Sequence, residues 1–257
     1  MTEFAGPGTP ITKEAFDAVR QFAGAEPAAI WSILAVETAG AGFLPDRRPD
    51  ILFERHYFSR LTKGVYDQHD PDISNPVQGG YGPGGLHQYD RLQAAIMLDR
   101  QAALRSASWG IGQIMGDNFS AAGYGDVEAM VAGFVASEGA QLLGMAKFLN
   151  ASGLAEALRD KNWTQLARGY NGPNYAANHY DSNLASFYQR YADGALPDLL
   201  VRAGQIYLRY AGCKLSVDGL SGPTTQNAIR AYQAAHGLAV TGAFDDPTMA
   251  ALSGPPA

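Results

Sequence analysis

Cysteine is nearly missing from this chain of 257 residues: Cys213 stands alone, so no internal disulfide can form. That fits synthesis in a reducing compartment. Cys213 has no catalytic setting and reads as a small core residue. Charge is also sparse, at 17% of residues. Nineteen basic groups face twenty-five acidic ones, for a net charge of −6, so a phosphate backbone is a poor partner and no nucleic acid is expected. No apolar run is long enough to cross a bilayer, and no membrane insertion is expected. The opening "MTEFAGPGTP" lacks the basic-then-apolar order of a signal peptide. Synthesis in a cytoplasm is expected, with another means of release for a target outside it. His56, His69, His87 and His179 lack metal-ligand spacing, so neither metal nor cofactor is expected.

What is present suits a core-forming protein, with 46% hydrophobic residues. Thr12 is placed to cap a helix whose face carries Phe16, Val19 and Ala23. Pro27 suits the first turn of a second helix. On that helix Ile30, Ile33, Leu34 and Glu37 share one stripe, and Gly40 and Gly42 end it. Residues 40–50 read as a loop. "ILFERHYF", 51–58, is aromatic and β-branched enough for a short strand. Residues 64–90, rich in glycine and proline, read as a long irregular segment. Helical periodicity returns over 89–106, 127–149, 154–160, 163–169 and 181–191. The fold class is mainly α, with one small β or irregular region.

Composition shifts near "ADGALPD", 192–198, which divides the chain into domains 1–195 and 196–257, expected to fold independently. The second part carries four basic and four acidic groups, so the acidic excess lies in the first. It also repeats itself at an offset of 23 residues: Leu215, Val217, Gly219, Thr225, Ala228 and Ile229 align with Leu238, Val240, Gly242, Thr248, Ala251 and Leu252. Each half reads as a turn and a short helix, giving a small helical module that buries little surface.

Three segments carry chemistry in the first domain. "VETAGAGF" holds Glu37 on an otherwise apolar stripe. The plain reading is a solvated carboxylate at a helix end; the chemical reading is an acid kept protonated by an apolar wall. "SASWGIGQIMG", 106–116, holds Ser108, two glycines that permit close backbone approach, and the amide of Gln113. "RGYNGPNY", 168–175, sets Tyr170 and Asn171 at a helix end beside a Gly-Pro turn, with Tyr175 after it.

In this order these segments resemble the goose-type lysozyme and lytic transglycosylase pattern: a glutamate with a small hydroxyl residue, a Gly-x-x-Gln motif, then Tyr-Asn. The runs "GFLPDRRPDILFERHYFSRLT", "LRSASWGIGQIMG" and "ARGYNGPNYAANHYDSNLASFY" resemble, more closely still, the N-acetylmuramidase family of phage endolysins. The likeness covers about residues 10–192, with Thr38 where serine is more usual. Residues 198–253, with "VDGLSGPTTQNAIRAYQ", resemble the peptidoglycan-binding type 1 module, a small three-helix fold.

The resemblance implies a lysozyme-like domain that cleaves the β-1,4 bond between N-acetylmuramic acid and N-acetylglucosamine, as a monomer acting on peptidoglycan. Glu37 would be the general acid. Glu54 is the candidate second carboxylate: a strand at 51–58 would set Leu52, Glu54 and His56 on one side. Equally, Glu54 could pair with Arg55, Arg47 or Arg48. Asp46 and Asp50 are weaker candidates, and some relatives in the superfamily use the substrate's own acetamido group instead. Ser108, Gln113, Tyr170 and Asn171 would hold sugar or Glu37, or else cap helix ends. Trp109 and Tyr175 would stack on sugar or lie in the core. An endolysin would wait in the host cytoplasm and reach the periplasmic wall after pore formation. A secreted toxin or tail component of the same chemistry, and an inactive wall-binding protein, are the alternatives.

Overall fold

The computed structural model describes residues 3–38, 40–172 and 175–254. Its core forms around α2 (Pro27–Thr38). Every residue from Ala28 to Leu34 is buried. The helix is therefore enclosed on all sides, not on one stripe, as expected when a helix is apolar all round. Burying each of Ile30, Ile33 and Leu34 contributes ~1.5–3 kcal/mol. Glu37 sits where this buried helix leaves the core. α1 (Lys13–Ala23) begins at Thr12, whose hydroxyl accepts the Ala15 N–H at 3.2 Å, and it buries Phe16, Val19 and Ala23.

Two of the long periodic runs are broken in the middle. Residues 89–106 divide into α4 (Leu86–Leu98) and α5 (Arg100–Arg105), after α3 (Arg55–Leu61). Residues 127–149 divide into α6 (Val127–Ala136) and α7 (Glu138–Ala151). The breaks fall at Asp99 and Ser137, both extended, and each side chain caps the next helix by accepting a backbone N–H. Side-chain capping competes with helix continuation at such residues. α8 (Ala155–Arg159) and α9 (Trp163–Asn171) follow, and α10 (Tyr180–Asp193) packs along α2, as α1 does along α7.

The strand expected over 51–58 is shorter. β1 covers Ile51–Phe53, and Glu54 is the cap position that opens α3. β1 pairs antiparallel with β2 (Ala107–Trp109), and β2 with β3 (Ile114–Met115). The register sets Leu52 opposite Ser108 and Ser108 opposite Met115, so the three share one face. Ile51, Phe53, Trp109 and Ile114 are buried. Residues 62–85 are irregular, tied down by buried Gln88. Its amide donates to the Tyr81 and Pro83 carbonyls and its oxygen accepts the Phe53 N–H.

The C-terminal part contains α11 (Leu199–Tyr210), α12 (Pro223–Ala235) and α13 (Asp246–Leu252) around Leu208, Ile229 and Leu252, with Cys213 packed beside them. The sequence repeat reappears as a repeated clamp. Buried Gln205 takes the N–H of Gly219 and donates to Asp218, the Leu220 carbonyl and Thr225. Buried Gln233 takes the N–H of Gly242 and donates to Thr241, the Ala243 carbonyl and Thr248, the positions 23 residues on. This part is not free of the rest: Ile206 and Val217 pack with Ala41, and Arg202 pairs with Glu138 where both are fully buried. This buried pair crosses the boundary expected at residue 195, and a partner removed from either side would leave the other charge buried alone. No helix among the described residues is long and apolar enough to cross a membrane.

Candidate active site

A cleft of ≈ 550 Å³ opens where α2 ends, between the sheet and the end of α9. It is lined by Glu37, Glu54, Ser108, Gln113, Tyr170 and Asn171, so six of the seven candidate residues meet there. Tyr175 does not line it and packs against the core instead. Trp109 is fully buried, and its indole N–H donates to the Leu104 carbonyl, which makes it core rather than a sugar platform. The side chain of Thr38, and Pro173 and Asn174 of the third segment, lie outside the described residues. A groove of ≈ 570 Å³ between α1 and the α6–α7 junction holds no acid–base group. Of the two cavities, the cleft is the one lined by candidate acid–base groups.

Glu37 keeps some accessible surface and lines the cleft, yet protein atoms crowd closely around its carboxyl group. Burial raises its pKa from an ordinary 4.5 to about 7. The Tyr180 hydroxyl, at the start of α10, donates to Glu37 Oε1 and opposes that rise by favouring the carboxylate. The result is an acid poised near neutral pH, matched to proton transfer in that range. Tyr180 is the residue that pattern reading missed. It lies in "NHYDSN", where nothing in spacing or composition marks it.

Glu54 lies on the same cleft, with Leu52 and His56 beside it. The side on which a strand would have placed these three is thus reached by a strand end and a helix cap. Burial raises the Glu54 pKa and Tyr81 lowers it. Its neighbour is His56, whose Nδ1 lies 3.0 Å from Oε2 without hydrogen-bond geometry. The arginines weighed as partners go elsewhere: Arg48 to Asp46, Arg47 to the Pro7 carbonyl, and Arg55 towards the Pro71 carbonyl. Asp46 is thus engaged. Asp50 is half-buried, and burial raises its pKa.

The β2–β3 turn, Gly110 to Gln113, forms a second wall. Gly110 has φ +69°, and a side chain there would strike Gln141. Gln113 has φ +46°, a left-handed conformation that costs a non-glycine residue of order 1–3 kcal/mol and persists only where neighbours impose it. Its oxygen accepts from Ser108 at 2.8 Å, and its nitrogen donates to the Gly110 and Asp50 carbonyls. The amide therefore fastens the turn. The Tyr170 hydroxyl, from α9, donates to the Gly112 carbonyl in the same turn. Asn118 and Gln78 add polar groups to the cleft that no motif announced.

The N-acetylmuramidase family model matches residues 26–192, and a peptidoglycan binding domain model matches residues 198–252. Among solved structures, the chain is similar to the crystal structure of Burkholderia AP3 phage endolysin. Identity is 38% and the match covers 71% of each chain, with a TM-score of 0.65. Comparison with curated proteins returned no match.

Proposed function

The chain belongs to the N-acetylmuramidase family, and we propose that it hydrolyses the β-1,4 bond between N-acetylmuramic acid and N-acetylglucosamine, with Glu37 as general acid. A glycoside hydrolase of the lysozyme type must protonate a leaving oxygen and steady an oxocarbenium-like transition state. The observation that carries the reading is Glu37 itself: a carboxyl group lining a cleft, its pKa lifted to about 7 by burial. Glu54 faces the same cleft, and we assign it the second carboxylate role, as base or electrostatic partner. Ser108, Gln113, Tyr170 and Asn171 shape the wall around them; the first three hold the wall itself more than they offer free groups to sugar. The division at residue 195 assigns catalysis to 1–195 and wall binding to 196–257, with the monomer as the working unit.

The protein is a cell-wall-lytic enzyme, and the similarity to a phage endolysin supports that role in host lysis. Under this reading it accumulates in the host cytoplasm and acts on peptidoglycan once released. Mass spectrometry of digested wall tests the chemistry. Reducing muramic acid ends are expected; anhydro-muramic ends would instead assign a lytic transglycosylase.

A further inference from the structure

We infer that the wall-binding domain completes the active site, with Arg202 and Glu138 as positioning residues that hold the loop after Glu37 and, through it, the Gln113 turn. The inference rests on the reading of Glu37 as the acid. It starts from Glu138, the first residue of α7, whose side chain is fully buried. Its two oxygens take four donors. Oε1 accepts the Gly42 N–H at 2.8 Å and Arg202 Nη2 at 2.9 Å. Oε2 accepts the Ile11 N–H at 3.0 Å and Arg202 Nη1 at 2.5 Å. Arg202 is a residue of α11, in the wall-binding part, and is itself 1% exposed. Its Nη2 also donates to the Gly40 carbonyl, and its guanidinium lies 5.8 Å from the Trp31 ring of α2, the helix that carries Glu37. A bidentate guanidinium–carboxylate pair fixes direction as well as distance.

From Gly42 the connection runs on to the opposite wall. The Gly42 carbonyl accepts the Asp50 N–H, and the Asp50 carbonyl accepts both the Gly110 N–H and the Gln113 amide. One turn along α7 from Glu138, Gln141 accepts the Ile111 N–H at 2.7 Å. Space is tight throughout: a Cβ on Gly42 would strike Gln141 and Ile111, and one on Gly40 would strike the Val217 carbonyl of the wall-binding part. Both segments that flank the cleft are thus pinned to one buried carboxylate, whose countercharge comes from the other domain. A lone Glu138 without Arg202 would be a buried unpaired charge, and water would have to enter to relieve it. A shift of about 1 Å at a reacting group can cost of order a hundredfold in rate.

Two full-length variants test this. The double variant Glu138→Gln/Arg202→Met removes both charges and keeps volume, a change that buried pairs often tolerate in stability. Arg202→Lys keeps the charge but not the fork that reaches two oxygens and the Gly40 carbonyl together. The substrate is amidase-trimmed, soluble glycan strands, on which wall anchoring is irrelevant. In the double variant kcat is expected to fall about ten- to a hundredfold, and less in Arg202→Lys, with KM and sedimentation with intact wall unchanged. The basic limb of the kcat–pH profile should move to lower pH, because a loosened loop lets water reach Glu37. The groups that face Glu37 are Tyr180 of α10, Tyr170 of α9 and, across the cleft, Glu54 and His56; none is altered in either variant. Wild-type kcat with an unmoved limb in the folded double variant overturns the inference, and so does the same result in Arg202→Lys should the double variant not fold. Glu37→Gln, run alongside, separates the two levels. If it is inactive while the pair variants behave as wild type, only the positioning role falls.

Discussion

Replacing Glu37 by Gln should slow the enzyme and steady the fold at once, with the second effect tied to pH. The carboxyl group has an ordinary pKa of 4.5 in the unfolded chain and about 7 in the folded one. At ~1.4 kcal/mol per tenfold change in proton affinity, that difference is worth roughly 3 kcal/mol. Between pH 4.5 and 7 the folded protein holds a proton that the unfolded chain has released. Stability from this group is therefore complete below 4.5, declines through that window, and is lost above 7. Gln has no such proton, yet keeps an oxygen for the Tyr180 hydroxyl. The variant should match wild type at pH 4 and exceed it by up to ~3 kcal/mol at pH 8. At ~2–4 °C per kcal/mol for a chain of this size, the midpoint should rise by about 6–12 °C at the higher pH. Loss of the general acid should cost ~10²–10⁴-fold in rate. Calorimetry at the two pH values and turbidity decay of a wall suspension read both quantities. A stability difference that does not change with pH, or lysis within a few-fold of wild type, would refute the assignment.

Tyr180→Phe removes the hydrogen bond that favours the Glu37 carboxylate, so the pKa of Glu37 should rise further and the basic limb of activity should move to higher pH. A limb that stays in place, measured on a folded variant, counts against that contact. Glu54→Gln should lower kcat, but less than Glu37→Gln does, because an electrostatic partner assists where a proton donor is required; parallel rate measurements rank the two. Ser108→Ala strips one partner from the Gln113 oxygen and should cost ~0.5–1.5 kcal/mol in denaturant unfolding, since Ser108 is almost fully buried.

The helices, the cap at Thr12, the helix start at Pro27, and the meeting of the three motifs at one cleft were legible because each has a local cause: a period, a capping oxygen, a fixed φ, a glycine. The breaks at Asp99 and Ser137 were not. Both sit inside apolar runs whose periodicity barely changes across them, and only a capping side chain marks the interruption. The strand over 51–58 was read too long because Tyr57 and Phe58 favour strands by type, yet Phe58 serves as a buried face of α3. Tyr175, open in the sequence to stacking on sugar or lying in the core, packs against the core. Tyr180, Glu138 and Arg202 were invisible for a deeper reason. Their partners lie 143 and 64 residues away, and no local pattern encodes a contact at that distance.

The proposed role of Glu37 also gives a reason for its place at the end of α2 rather than within it. At Ser32 or Ile33 the surroundings are fully closed, and a carboxyl group there could reach no substrate. Beyond Gly40 the backbone is a loop, which by itself cannot hold an acid to the precision that proton transfer demands. Position 37 lies between these limits: one side still belongs to the apolar helix that raises its pKa, the other opens on the cleft. Such a position works only if the helix end does not fray. α2 ends without a basic residue in its last turn to steady its carbonyls, and the loop that follows is gripped from outside, through Gly40 by Arg202 and through Gly42 by Glu138. On the proposed reading, the helix supplies the environment of the acid, and the grip supplies its geometry. This division of labour is the physical reason to look for catalytic effects in a domain that has no catalytic group of its own.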